Sequence, residues 1–384
     1  MVRMGISVGI VGVGAFGRGF VRMFRKHPGV SRVALCDIVP ERLASAAKEN
    51  GIAETYPGLE SILKSDLDAV AIFTQPWLHA PQAVAAMEAG KHVYSAVPVI
   101  SLSDGDEMLR WCQSVIRTCR RTGRYYMMGE TSFYRPEAMF CRRRAGEGAF
   151  GGFVHAEGDY IHDVDWPACN LRDVARARWG ADWTPAKAGD APMHYPTHSL
   201  GGFLSVTGGH VTELSAMGHA DPNNDWHKVN TVHHNPFGNE TALMRLSCGA
   251  TAVIKEARWI GADGHEGFSL FGTKASLVDS FGLVRWVSKE SVGPALSPEE
   301  MRDPLPPQVA QAWGNERGET EYGGHGGSHA YLVHEFVTAL AERRQPAVNA
   351  WVAARMFVPG IIAHKSAMKG GALMKVPDFG DPPS

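Results

Sequence analysis

Apolar and polar positions recur with one rhythm in the first third of this chain and with another in the rest. Ile6–Val11, Val33–Cys36, Ala69–Phe73, His92–Tyr94 and Tyr125–Met128 are short apolar runs of strand length. Between them, Phe16–Arg25, Glu41–Glu49, Pro81–Ala89 and Asp104–Thr122 have the length and amphipathic spacing of helices. Strands that alternate with crossover helices must run parallel, since only a long connection returns the chain to the same sheet edge. The spacing therefore predicts a doubly wound parallel sheet. After about Gly129 the helical crossovers disappear. Phe153–Ile161, Val211–Met217, Thr241–Ser247, Ala250–Ala257, Gly267–Phe271, Ser276–Ser280 and Leu283–Val287 follow with short links such as Cys248-Gly249 and Phe281-Gly282. Links this short predict a large, mostly antiparallel sheet. Residues 293–308 hold five prolines and read as a surface loop, and helices over Ser328–Glu342 and Val352–Met368 close the chain.

Length fits this division. With 384 residues, two domains are expected, 1–129 and 130–384, the second an α+β unit with helices flanking its sheet. The formal charge of −2 excludes a strong footprint for nucleic acid, and no apolar run is long enough to cross a bilayer. Arg3 and the apolar stretch after it resemble a secretory leader, but the glycines from Gly5 to Gly17 suit a buried strand and turn better. Six cysteines (Cys36, Cys112, Cys119, Cys141, Cys169, Cys248) form no paired framework, which fits a reducing cytoplasm.

The sharpest motif is Gly12-Val13-Gly14-Ala15-Phe16-Gly17, placed between the first strand and the first helix. The first glycine makes a tight turn, the second admits a pyrophosphate, and the third allows close helix–strand packing. Free N–H groups at the helix start then favour the phosphates. Asp37 ends the second strand, 20 residues after Gly17, where a carboxylate can accept both ribose hydroxyls and repel a 2′-phosphate. Ile38 beside it offers no compensating charge, so NAD is expected rather than NADP. Thr74, Pro76 and His79 lie at the carboxyl end of the Ala69–Phe73 strand. They either line the nicotinamide-ribose side or form a strand-to-helix turn.

From the glycine motif through Phe271-Gly272-Thr273-Lys274 to Val376-Pro377-Asp378-Phe379, the chain resembles the GFO/IDH/MocA family of NAD(P)-dependent sugar and cyclitol oxidoreductases, whose first domain is a Rossmann fold. His92-Val93-Tyr94-Ser95-Ala96-Val97-Pro98 matches the family strand that ends in Glu-Lys-Pro, with Ala96 and Val97 in place of Glu and Lys. That lysine assists proton removal in the family's ordinary dehydrogenases. Met128-Gly129-Glu130, Glu157 to Asp163, Tyr195-Pro196-Thr197-His198 and Gly324-His325-Gly326-Gly327 resemble the branch of NAD-dependent α-N-acetylgalactosaminidases, glycoside hydrolase family 109. The resemblance implies catalytic or substrate roles for Glu130, Tyr160, Tyr195 and His198, a homodimer or homotetramer, and a sugar or glycoside as substrate.

The residues themselves suit such chemistry. An imidazole of ordinary pKa near 6.5 accepts a proton at neutral pH, which suits His198 as a base. Glycines around His325 either let the backbone approach a ligand or make a flexible turn before the helix, while Lys187 and Arg178 offer cations for a hydroxyl or an anionic substituent. Trp166, Trp179 and Trp183 suit either a sugar face or core packing. His194/His198 and His325/His329 have metal-ligand spacing, but Pro196 and the glycines break the helices this spacing needs, so no metal is expected. The leading expectation is hydride transfer from a ring hydroxyl, with NAD recycled in a redox-elimination glycosidase. The alternatives are a simple sugar or inositol dehydrogenase and an NAD-binding regulator without catalysis.

Overall fold

The computed structural model describes residues 5–168, 170–314 and 323–383; Arg3 and Cys169 lie outside the described residues. The first six strands are β1 (Ile6–Val11), β2 (Val30–Cys36), β3 (Thr55–Tyr56), β4 (Ala69–Ile72), β5 (His92–Ser95) and β6 (Tyr126–Met128). They pair in parallel in the order β3-β2-β1-β4-β5-β6. Helices Ala15–Lys26, Pro40–Asn50, His79–Glu88 and Gly105–Thr122 connect them. Val8, Ile10, Val70 and Ile72 are wholly buried, as expected when helices cover both faces of a parallel sheet. Strand order reverses between β1 and β4, so the turn after β1 opens at the crevice where such sheets bind ligands.

The second sheet has nine strands: β7 (Phe153–Ile161), β8 (Val211–Ala220), β9 (Phe237–Leu246), β10 (Thr251–Ala257), β11 (His265–Gly272), β12 (Ala275–Ser280), β13 (Leu283–Ser288), β14 (Val292–Ala295) and β15 (Met374–Lys375). Their order is β14-β13-β12-β11-β7-β10-β9-β8-β15, antiparallel throughout except for the central pair β7 and β10. Along β9, buried Glu240, Ala242, Met244 and Leu246 alternate with exposed Thr241, Leu243 and Arg245, the period of a sheet covered on one face. Helices Thr197–Thr207 and Ala350–Ala367 pack on this sheet. The first of them comes unusually close to β7, since a Cβ on Gly158 would lie 1.9 Å from the Ser199 carbonyl oxygen.

Two features differ from expectation. Residues 293–308 are not a loop: they include part of β14, the short helix Pro298–Met301 and the start of Pro307–Trp313, with Met301 and Leu305 buried. Proline is favoured at the first helical position, and Ser297 with Glu300 forms a reciprocal cap, so the prolines here start helices. Helix Ser328–Glu342 returns to the first sheet, where Leu332, Val333 and Phe336 share a core with Phe20, Phe24 and Tyr94. This return carries His325 and His329 back to the glycine turn. Among the described residues no helix is long and apolar enough to cross a membrane, and the described cysteines form no disulfide.

Candidate active site

Gly12 adopts φ +90°, a backbone conformation that side chains resist. At Gly17 an added Cβ would lie 2.0 Å from the Gly12 carbonyl oxygen and 2.9 Å from Phe73 Cβ, so this residue must be glycine for helix and strand to meet. Helix Ala15–Lys26 starts at Gly14 with no side-chain cap and no acidic residue in its first turn. Its first amides are thus left for an acceptor from outside the chain, and a pyrophosphate suits them. Ala15 and Phe16 are exposed on the turn. Asp37 is buried, and its carboxylate accepts the Val13 and Val39 N–H groups, each at 2.9 Å. It therefore pins the glycine turn. The expectation of no compensating charge needs correction, because Arg42 Nη1 lies 3.4 Å from Asp37. Its place in the first turn of the next helix was the available signal.

Thr74, Pro76 and His79 divide between bracing and lining. The Thr74 hydroxyl donates to Gln82 at 2.7 Å. His79 is buried, with Nδ1 2.8 Å from the Pro98 carbonyl and Nε2 3.0 Å from the Thr74 carbonyl, and burial lowers its pKa. Both neighbours are carbonyl acceptors, and the neutral ring has a single N–H, so His79 donates to one of the two strand ends while lying between them. Pro76 instead lines a cavity shared with Trp77, Tyr160 and Tyr195.

Glu130, Tyr160, Tyr195 and His198 come together from three segments. Glu130 follows β6, is fully buried, and accepts the Ser132 N–H at 2.9 Å. Tyr160 lies near the end of β7, while Tyr195 precedes helix Thr197–Thr207 and His198 stands in its first turn. A Cβ on Gly201 in that helix would lie 2.9 Å from Glu130 Cγ, and its absence lets the helix seat against the carboxylate. The His198 ring lies 5.0 Å from that of Tyr160 and 5.3 Å from that of Tyr195. His198 Nδ1 sits 2.8 Å from Glu130 Oε1 and 3.1 Å from Glu266 Oε1.

The sequence does not single out Glu266. It is one acidic residue on β11 with no motif around it, and only the pairing of β11 with β7 brings it beside His198. Its effect reverses an expectation. Burial disfavours a charged imidazole, yet Glu130 and Glu266 outweigh this and raise His198 to about 9. His198 is therefore an imidazolium at neutral pH and not a free base. Burial pushes Glu130 and Glu266 upward, but His198 more than offsets it: Glu130 ends below its ordinary value, and Glu266, with Arg135 helping, at about 2. Burial raises both phenols, Tyr195 to about 12, so both remain protonated donors.

The surroundings complete the site. Tyr195 O–H donates to the Val97 carbonyl at 3.4 Å, so the position where the family carries lysine offers main chain here. The His162 Nδ1 lies 3.1 Å from the Tyr160 hydroxyl, and the Arg258 guanidinium sits 4.2 Å from the Tyr160 ring centre. Arg258 is paired with buried Glu256 at 2.5 Å, and Glu256 also accepts the Ser199 hydroxyl. His325, at φ +53°, reaches toward both halves: its ring lies 6.2 Å from His198 and 6.4 Å from Phe16 of the glycine turn, with Nδ1 3.0 Å from His329 Nε2.

Arg178 and Lys187 line the cavity of about 390 Å³ that begins at the two tyrosines. Trp179 lines it too, stacked 4.3 Å from Trp77, whereas Trp183 packs on Trp226, itself a lining residue. The spaced histidine pairs do not assemble a metal site: His194 is buried against His364, and among the described residues no three His, Cys, Asp or Glu side chains could hold an ion together.

Comparison with known proteins bears on the cofactor turn first. Residues 6–130 match the GFO/IDH/MocA model, an oxidoreductase family with an NAD-binding Rossmann fold. A Porphyromonas gingivalis protein named glycosyl hydrolase family 109 protein is 27% identical over an alignment covering 97% of this chain and 84% of that protein. Among solved structures, an oxidoreductase domain protein from Kribbella flavida gives a TM-score of 0.77 at 20% identity, covering 98% of this chain and all of that one. Levoglucosan dehydrogenase in complex with NADH gives 0.75 at 19% identity, covering 98% and 100%. At these identities the structures establish a shared fold. Together with the open glycine turn and the position of Asp37, the match over residues 6–130 identifies an NAD-binding Rossmann domain similar to that of the GFO/IDH/MocA oxidoreductases.

Proposed function

We propose that this protein is an NAD-dependent enzyme acting on a sugar ring, and that it cleaves glycosides by a redox-elimination route. The observation that carries the reading is the buried Glu130–His198–Glu266 group, set against two phenols and reached from the glycine turn through Phe16 and His325. Bound NAD would supply a hydride acceptor that takes a ring C–H as hydride and later returns it. Plain dehydrogenation needs that acceptor and a single site for the hydroxyl proton. This site offers more.

Oxidation of one ring hydroxyl to a ketone makes the neighbouring C–H acidic, because the carbanion is delocalised as an enolate. A carboxylate of the Glu130–Glu266 pair can take that proton. Glu130 Oε2 is buried without a hydrogen-bond partner, so Glu130 has acceptor capacity in reserve, whereas Glu266 Oε1 is already engaged by His198 at 3.1 Å. The His198 imidazolium and the Tyr195 and Tyr160 hydroxyls donate to developing negative charge on the enolate oxygen. Elimination then breaks the bond to the leaving group, which departs with a proton, and water adds to the resulting enone. The names of the full-length relatives support the glycosidase form, and the structural neighbours support sugar-ring chemistry in the same fold.

The test is a panel of 4-nitrophenyl glycosides incubated with the NAD-loaded protein in deuterated water. The reading expects nitrophenol release with no net NADH, and deuterium at the ring carbon next to the oxidised one. Stoichiometric NADH from free sugars, with every glycoside left intact, would replace it with a simple dehydrogenase.

A further inference from the structure

The cavity next to Tyr160 and Tyr195 has walls of two kinds. Val164, Leu171, Val174 and Ala175 are aliphatic, and Trp77, Trp179 and Trp226 present ring surface. Its cations are of unequal availability. Arg258 is neutralised by Glu256 at 2.5 Å. Among the described residues neither Arg178 nor Lys187 is joined to a carboxylate; Arg178 lies beside the Tyr195 hydroxyl, and Lys187 Nζ sits 5.7 Å from the Trp179 ring centre. The one lining carboxylate, Asp190, already accepts the Ser101 hydroxyl at 3.0 Å. Trp226 Nε1 is a buried donor without a partner.

These walls ask for a particular ligand. A second sugar would bring a hydroxyl on nearly every carbon, each needing a hydrogen bond once out of water, and the side formed by Val164, Leu171, Val174 and Ala175 cannot supply them. A flat apolar body can lie against the stacked Trp77–Trp179 pair and the aliphatic wall. Apart from His233 Nδ1, these spare polar groups are donors and cations, so the substituent should be chiefly an acceptor and negative. The distribution matches the usual small-molecule site, apolar walls with a few placed polar groups. We infer that the cavity holds the leaving group of the glycoside, and that this group is an aromatic ring bearing a carboxylate. The inference rests on the glycosidase reading for the word leaving group, but the binding of an aryl carboxylate can be tested without turnover.

Tryptophan fluorescence of the NAD-loaded protein reports on the indoles that line the cavity. Titration with 4-hydroxybenzoate should quench it with at least tenfold higher affinity than methyl 4-hydroxybenzoate or maltose. Lys187→Met and Arg178→Gln should each erase most of the preference for the acid while leaving ester affinity within about twofold. Two substitutions at separate cations guard against a single misfolded variant. Equal affinity for acid and ester, or binding of maltose in preference to both, would overturn the inference. A protein that binds the acid tenfold better yet cleaves no glycoside would defeat the glycosidase reading and leave the aryl-carboxylate cavity standing.

Discussion

Replacing Glu266 with glutamine removes one of the two negative neighbours of His198 while keeping the shape of the side chain. In the native site His198 titrates at about 9 rather than 6.5, against the opposing effect of burial. At about 1.36 kcal/mol per pH unit, that gap is about 3 kcal/mol of preference for the charged ring. A unit charge 3.1 Å away, with an effective dielectric of about 20, contributes roughly 5 kcal/mol. Glu266 is therefore strong enough to account for the whole gap, and Glu266→Gln should bring His198 down to about 7 or below. The assay is an NMR titration of ring-labelled histidine, with His198→Gln assigning the resonance. The background is favourable, since burial lowers His27, His92, His162 and His227 to about 4 and His329 to about 3. A native His198 that titrates near 6.5, or a Glu266→Gln ring still near 9, would refute the electrostatic reasoning.

Gly17→Ala forces a Cβ to 2.0 Å from the Gly12 carbonyl oxygen, so the thermal midpoint should fall by the equivalent of about 1–3 kcal/mol and NAD binding, read by calorimetry, should weaken at least tenfold. Tyr195→Phe removes only the hydroxyl that faces Val97 and the His198 cluster; turnover should fall about 10²–10⁴-fold with NAD affinity unchanged. Stability should also depend on pH with a fixed sign. His198 is raised on folding, so its contribution is complete below pH 6.5 and is lost as pH rises through about 9; Glu266 is depressed, so its contribution is present above pH 4.5 and is lost as pH falls through about 2. Urea midpoints should drop between pH 7 and 10, and His198→Gln should flatten that alkaline drop.

Much of this architecture is legible in the chain because its local signals agree with its long-range packing. The apolar runs of β1, β2, β4, β5 and β6 are largely buried, and the glycine motif marks a turn where helix and strand must touch. Strands β3 and β15 escape notice because two residues carry no period. The segment 293–308 misleads because proline breaks helices in their interior and favours their first turn, and composition alone does not say which. At the site, Tyr195 and His198 share a short string, and Glu130 follows a strand that the sequence marks clearly. Glu266 and Arg258 owe their positions to register between β11, β7 and β10, which no local pattern encodes. Missing Glu266 also meant mistaking the charge of His198, since an ordinary imidazole and one held between two carboxylates look alike in a sequence.

The central claim is that the nicotinamide end of the cofactor and the Glu130–His198–Glu266 group share one reaction space. A crystal structure of the NAD-loaded protein tests this most directly. The account predicts a nicotinamide ring bordered by Phe16 and His325, with its reactive face open toward Tyr195 and His198. A dinucleotide held by the glycine turn but extending away from those two side chains would contradict it.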